Sequence, residues 1–233
     1  MRLRDLALVQ GGAVTRATLR RWDAAPWPVL RGWLALSAAI AASLLLSVWL
    51  IARGMTPDTR RVAIAGVNAP ADGGHVLFLI GRNALVLALH ALSCLAGFIA
   101  HSRLPAEAAR YRGWVRTLHD RAGAVAIAFV GAATLFSLVT QALVLGHGAS
   151  TMAAQLGIGP GLLLVSVLPH ALPELTALFL PLAAWILLSR RGRWHEMLAA
   201  TLVTTAIAAP VVVVCALLET YVSPRLLLAL LPG

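Results

Sequence analysis

The chain alternates between long apolar blocks and shorter, arginine-bearing connections. A membrane-spanning helix needs about 20 mainly apolar residues, and five blocks of the sequence approach or exceed this length. They cover residues 33–51, 76–100, 122–146, 161–189 and 197–222. This pattern predicts an all-α fold, an integral membrane helical bundle of about five transmembrane helices. It also predicts a cytoplasmic N-terminal segment, 1–32, followed by a single transmembrane domain, 33–233.

The overall composition supports a membrane protein over a water-soluble one. Hydrophobic residues make up 60% of the chain and charged residues only 12%, whereas soluble domains have about 45–50% and about 25%. This disfavours a soluble enzyme or a disordered chain. An outer-membrane barrel would show short segments of alternating hydrophobicity, and the sequence has none.

The arginines predict how the chain is oriented in the membrane. All 19 basic residues are arginine, and the net charge is +10. Fourteen of them lie before the first block, between the second and third blocks, and between the fourth and fifth, against four on the opposite side. The positive-inside rule then predicts a multi-pass protein with its N-terminus inside and its C-terminus outside. Because the arginine clusters fall between apolar blocks, anionic lipid headgroups are the expected partner and nucleic acid is not.

Two cytoplasmic segments differ in their helical pattern. In 104–118, apolar residues recur along one helical stripe, with Arg112 and Arg116 off that stripe. This predicts an interfacial helix whose two arginines contact lipid phosphates; a plain connecting helix packed on the spans is the alternative. In the N-terminal segment, Gly11 and Gly12 interrupt the pattern, so no single stable helix is predicted there.

Four polar residues inside the apolar blocks are candidate functional groups. Asn83 and His90 lie in the second block, and His170 and Glu174 in the fourth. A rise of about 1.5 Å per residue places His90, His170 and Glu174 near the middle of the membrane, where such side chains are costly. We therefore predict that the four form an intramembrane polar cluster.

The fourth block is also expected to be broken within the membrane. Pro169 and Pro173 each remove a backbone donor, so the helix is predicted to break there and to leave carbonyls in need of partners. Three interpretations of the cluster stay open. It fixes the bundle through hydrogen bonds, it forms a polar binding site or pathway at a broken helix, or it handles a metal ion or protons.

Arg82 and Glu219 are predicted to form an ion pair in the outer leaflet. Arg82 lies a short way inside the outer edge of its block, as Glu219 does in the fifth. An unpaired arginine at that depth would extend toward the headgroups. If the pair forms, replacing Glu219 by glutamine should lower the stability of the bundle.

Known catalytic motifs are missing from the sequence. It contains no His-Glu-x-x-His, no Gly-x-Ser-x-Gly and no Walker A loop. Cys94 and Cys215 lie in apolar runs, far apart in sequence, and are predicted to be reduced core residues. The residues therefore predict no enzyme activity, no metal centre and no cofactor.

Two stretches of the sequence resemble a known family. Residues 166–174, Ser-Val-Leu-Pro-His-Ala-Leu-Pro-Glu, resemble the Pro-His-Gly-x-x-Glu signature of the stage II sporulation protein M family. Residues 218–224, Leu-Glu-Thr-Tyr-Val-Ser-Pro, resemble the end of that family's last span, and Asn83 fits more weakly. The resemblance covers about residues 80–224. The chain departs from the family pattern at Ala171, where glycine is usual, and at Pro173, which is an addition.

The resemblance implies a multi-pass protein of the inner (plasma) membrane that acts through partners. Members from spore formers join peptidoglycan-degrading enzymes in a membrane complex, others assist bacteriocin maturation, export or immunity, and some resemble the membrane half of ABC-type exporters. The leading expectation is a non-enzymatic scaffold or assembly factor of a cell-envelope complex, whose partner is a wall hydrolase. The alternatives are a permease or export component with a separate ABC-type ATPase and, third, a membrane hydrolase. A second copy of the chain is also an expected partner.

Overall fold

The computed structural model describes residues 7–102 and 113–231, without the side chains of 7–11, 101–102, 114–124 and 126. Within these ranges no strand forms, and eight α-helices account for most of the chain. They are α1 Ala7–Ala24, α2 Trp27–Gly54, α3 Gly73–Ser102, α4 Trp114–Gln155, α5 Pro160–Leu178, α6 Leu180–Arg190, α7 Met197–Tyr221 and α8 Ser223–Leu230. A short 3-10 turn, Trp194–Glu196, precedes α7.

Five segments are long and apolar enough to cross a membrane. They are Trp27–Gly54, Gly73–Ala100, Ile127–Gln155, Pro160–Leu178 and Trp194–Tyr221. The predicted all-α fold with five membrane-spanning helices is therefore confirmed. The orientation of the chain in the membrane stays a prediction.

The third span differs from its predicted bounds of 122–146, because helix α4 continues to Gln155. Gly146 lies inside this helix, and a Cβ there would come within 2.7 Å of the Ile51 Cβ. The glycine therefore allows α4 to approach α2 closely and does not end the helix.

The interruption of the fourth span lies at Phe179 and not at the two predicted prolines. Helix α5 runs through Pro169 and Pro173 to Leu178, and α6 begins at Leu180 with Pro181 in its first turn. A proline in the first helical turn removes a donor that has no partner in the helix. The expected break at Pro169 and Pro173 is therefore corrected: α5 accommodates both, as membrane helices can, and the next helix begins beyond them.

Helix α1 corrects the expectation that Gly11 and Gly12 prevent a stable helix. It extends from Ala7 to Ala24, although each glycine costs about 1 kcal/mol relative to alanine. The ring of Trp22 packs edge-on against Trp33, with their centroids 5.2 Å apart. Such tertiary contacts usually contribute more to helix stability than intrinsic propensity does.

The chain forms two compact units, each built from three segments. Unit 1 consists of residues 1–37, 87–134 and 179–207, and unit 2 of residues 38–86, 135–178 and 208–233. Unit 1 has a shared apolar core that includes Trp22, Trp33, Phe98, Leu180 and Met197. This core also contains Cys94, and both cysteines are free, as predicted.

Unit 1 also buries one carboxylate, Glu196, which meets two arginines. Arg21 Nη2 donates to Glu196 Oε1 over 2.7 Å, and Arg193 Nε donates to the same oxygen over 3.0 Å. The buried charge is therefore balanced by cations of its own unit.

Unit 2 has two small apolar clusters and a tethered connection. One cluster contains Val76, Leu79 and Ala216, and the other Ala153, Leu163 and Leu227. The connection after α2 is held to α4 by hydrogen bonds from the Asp58 amide to Thr151 Oγ1 and from the Val62 amide to Gln155 Oε1, at 3.0 and 2.8 Å.

The predicted interfacial helix 104–118 falls mostly outside the described residues. Arg112 lies outside them, and Arg116 lies in α4 with its side chain outside the description. Their contacts with lipid phosphates stay a prediction.

Candidate functional site

Four helices of unit 2 bring polar side chains to one place. Helix α3 carries Asn83, α5 carries His170 and Glu174, α7 carries Glu219, and α8 begins at Ser223. His170 and Glu174 are four residues apart and therefore share one face of α5. Both are buried, together with Asn83.

Asn83 orients the carboxylate of Glu174. Its Nδ2 donates a hydrogen bond to Glu174 Oε1. The Oδ1 atom of the same amide accepts from Arg82 Nε at 3.4 Å. Because Arg82 can only donate, this second contact favours the orientation in which the Asn83 amide nitrogen faces the carboxylate.

His170 is held from one side and faces a carboxylate on the other. Its Nδ1 lies 2.6 Å from Ser223 Oγ, and its Nε2 lies 4.0 Å from Glu219 Oε2. The Glu219 side chain is 29% exposed, compared with 7% for His170. The serine thus fixes the ring, and the second ring nitrogen stays directed at Glu219.

Together, His170, Glu174 and Glu219 form what we call the acid–imidazole cluster. Each residue offers one ligand atom, and the three atoms all lie within 4.8 Å of one another. The group contains two carboxylates and one imidazole, which are side chains that hold metal ions or exchange protons.

A cavity of about 530 Å³ opens beside this cluster. Its walls are mostly apolar, and all its lining residues belong to unit 2. The polar side chains that line it are Arg82, Asn83, Thr140, Gln141, His170, Glu174 and Glu219. A mostly apolar cavity with a few converging polar groups is typical of a small-molecule site.

The structure assigns the four residues of the predicted polar cluster to different units. Asn83, His170 and Glu174 line the cavity of unit 2. His90 belongs to unit 1, where its ring lies 5.3 Å from that of Phe179. The role of the cluster, structural or functional, stays a prediction.

Glu219 and Ser223 were not predicted as neighbours of His170. Glu219 was expected to pair with Arg82, and both residues do line the cavity. Their direct ion pair stays a prediction, whereas Glu219 Oε2 lies 4.0 Å from His170 Nε2. Both missed residues lie in the stretch 218–224 that resembles the family's last span. The resemblance of that stretch to the family was the only sequence feature that pointed to these two residues.

Comparison with known proteins supports the resemblance. The family model of stage II sporulation protein M matches residues 121–224. This region includes the acid–imidazole cluster and Ser223, whereas Asn83 precedes it. The chain matches no curated protein and no solved structure. Over residues 121–224, the chain is therefore similar to the stage II sporulation protein M family, as the two sequence motifs predicted.

Proposed function

We propose that this protein is a non-enzymatic scaffold or assembly factor of a cell-envelope complex in the inner (plasma) membrane. Its family and its five apolar helices support a membrane role. The observation that carries the scaffold role is the poor burial of helix α4 within its own chain.

The apolar stretch of helix α4 before Gly146 contributes little to the packing of the described chain, whereas the end of the helix packs on α2 and on the connection after it. In an 18-residue apolar stretch of its span Ile127–Gln155, only 6% of the residues are buried, against 28–44% in the corresponding stretches of the other four spans. The helix carries small and polar residues, among them Thr140 and Gly131, and a Cβ at Gly131 would meet open space. Such residues are enriched where membrane helices pack on one another. The face of α4 is therefore suited to a helix of a partner protein.

Photocrosslinking from α4 tests this proposal. A benzophenone amino acid replaces Phe136 of α4, which is 74% exposed, or Phe78 of α3, which is 64% exposed and serves as the matched control. We expect a covalent product with a cell-wall hydrolase from position 136 and only lipid products from position 78. The proposal fails if position 136 gives lipid products alone, or the same protein products as position 78.

The cavity of unit 2 favours a second candidate, a permease or export component that works with a separate ABC-type ATPase. A volume of about 530 Å³ is large enough for a small molecule or a short peptide segment. Purification in mild detergent separates the two candidates. Recovery of an ATPase in fixed ratio, without a wall hydrolase, would reverse their order. A folded but inactive Glu174→Ala variant would also favour the second candidate.

A further inference from the structure

We infer that the acid–imidazole cluster of unit 2 is a binding site for a divalent cation of the Zn²⁺ type, with His170 Nε2, Glu174 and Glu219 as ligands. The inference does not depend on the scaffold role, because it rests on the contacts of these residues alone. It would hold for a scaffold and for an export component.

Three electron-rich atoms converge in the cluster. The Nε2 atom of His170 lies 4.0 Å from Glu219 Oε2, and a ligand atom of Glu174 lies within 4.8 Å of both. Two carboxylates at such distances repel each other, and burial strengthens the repulsion. Arg82, which lines the same cavity, offsets part of this repulsion. A positive charge between the three atoms, from a metal ion or from protons, would remove the rest.

The ligand set favours a Zn²⁺-type ion over Mg²⁺ or Ca²⁺. Zn²⁺ accepts imidazole nitrogen and carboxylate oxygen at about 2.0–2.2 Å, which separates tetrahedral ligand atoms by roughly 3.4 Å. The observed separations of up to 4.8 Å need only small side-chain rotations to reach that value. Mg²⁺ and Ca²⁺ prefer six or more oxygen ligands. Two carboxylates also balance the charge of a divalent ion, which suits a buried site.

The residues around the cluster have the arrangement of an outer ligand shell. Metal-bound histidines commonly have their other ring nitrogen held by a hydrogen bond, and Ser223 Oγ occupies that position at His170 Nδ1. Asn83 binds one oxygen of Glu174 and leaves the other oxygen for a metal. Arg82 in turn fixes the Asn83 amide. Supporting contacts on both buried ligands distinguish this cluster from a chance meeting of ionisable side chains.

The cavity gives the proposed ion an open coordination position. All three ligand residues line it. Three protein ligands leave the fourth position of a tetrahedral ion for water or a bound molecule. The lining is otherwise mostly apolar, so a molecule that fits would combine an apolar body with one oxygen or nitrogen donor.

Metal binding by the full-length chain, purified in detergent without a polyhistidine tag, tests the inference. We expect one Zn²⁺ per chain by elemental analysis and the visible absorption of tetrahedral Co²⁺ after substitution. Glu219→Gln should weaken Zn²⁺ binding at least ~10-fold, since it removes a ligand. His195→Ala, which removes an exposed histidine in unit 1, should leave the affinity unchanged. Ser223→Ala should weaken binding by about 10–100-fold, as losses of outer-shell contacts commonly do.

X-ray absorption at the zinc edge covers the case in which the variants fail to fold. The wild-type protein should show one imidazole nitrogen and otherwise oxygen ligands. The inference is overturned if the folded wild type retains no stoichiometric Zn²⁺ and gives no tetrahedral Co²⁺ spectrum, which would indicate a cluster that holds only protons. It is equally overturned by several imidazole or sulfur ligands, or by binding that depends on His195 and not on Glu219.

Discussion

The two units treat buried carboxylates in opposite ways. In unit 1, Glu196 meets Arg21 and Arg193, and its charge is balanced by cations of the same unit. In unit 2, Glu174 meets an amide and Glu219 meets an imidazole. A carboxylate whose charge is balanced by arginines stabilises the packing of its own unit. Glu174 and Glu219 lie close to each other and to a histidine, and Arg82 is the one arginine among the residues that line their cavity. One arginine for two carboxylates leaves negative charge for a bound cation to balance, and this makes unit 2 the better candidate for a binding site.

Removing both arginines of unit 1 should give the largest effect. Arg21→Gln combined with Arg193→Gln leaves Glu196 buried without an arginine, and only the exposed His195 ring, 3.6 Å from Oε1, remains beside it as a basic group among its ion-pair partners. The free energy of unfolding should therefore fall by about 3–5 kcal/mol. Tryptophan fluorescence during denaturant unfolding in detergent measures the change. Arg190→Gln with Arg191→Gln is the control, since both residues are exposed and the change in net charge is the same. Equal losses in the two double variants would mean that net charge, and not the buried pair, is responsible.

Substitutions at close helix contacts should have a smaller effect on stability, and this effect should differ between the two units. A Cβ added by Gly146→Ala in unit 2 would meet the branched Ile51 side chain. One added by Gly97→Ala in unit 1 would meet the Sδ of Met197 first and the Trp185 indole at 3.1 Å. Overpacking costs about 1–3 kcal/mol, and a flexible methionine yields more easily. We expect Gly146→Ala to lower the unfolding temperature more than Gly97→Ala. Gly131→Ala, whose Cβ meets open space, is the control and should have no cost.

Ser223→Ala should lower the stability of the protein by less than the glycine substitutions do. It removes the hydroxyl that holds His170, and the loss of one such hydrogen bond is worth about 1 kcal/mol. Ser43→Ala is a matched control in the same unit, because this exposed hydroxyl bonds only within its own helix. Thermal unfolding in EDTA should distinguish the two variants. Equal melting temperatures would show that Ser223 does not position the ring.

Glu219→Gln should have the smallest effect on the metal-free protein, and it separates two accounts of this residue. If Glu219 mainly pairs with Arg82, the substitution lowers the unfolding temperature whether or not metal is present. If it mainly belongs to the acid–imidazole cluster, stability in EDTA is unchanged, because a repulsion is removed along with a contact. Only the stabilisation by added Zn²⁺ is then lost. Melting curves with EDTA and with Zn²⁺ decide between these outcomes.

The helices could be predicted from the sequence more accurately than the site. Long apolar blocks predict five spans, because a backbone in lipid must satisfy its own hydrogen bonds and therefore forms a helix across each block. The stable α1 was missed, since tertiary contacts such as that of Trp22 with Trp33 are not visible in a local pattern. The end of α5 was missed because a proline inside a membrane helix can be accommodated, so the pattern does not say where the helix stops.

The site was only partly predictable, since it depends on which helices become neighbours. The spacing of His170 and Glu174 indicates a shared helix face from sequence alone. Depth along the membrane suggested His90 as their neighbour, but depth does not determine which unit a residue joins, and His90 lies in unit 1. Glu219 and Ser223 reach His170 through the packing of α7 and α8, which no periodicity encodes.

Anomalous X-ray scattering at the zinc edge, from crystals of the full-length chain with Zn²⁺, tests the contrast between the units most directly. We predict one strong peak within bonding distance of His170 Nε2 and of carboxylate oxygens from Glu174 and Glu219, and none at Glu196. A peak at Glu196, or an empty cluster in unit 2 with Zn²⁺ bound only at surface histidines, would contradict the account.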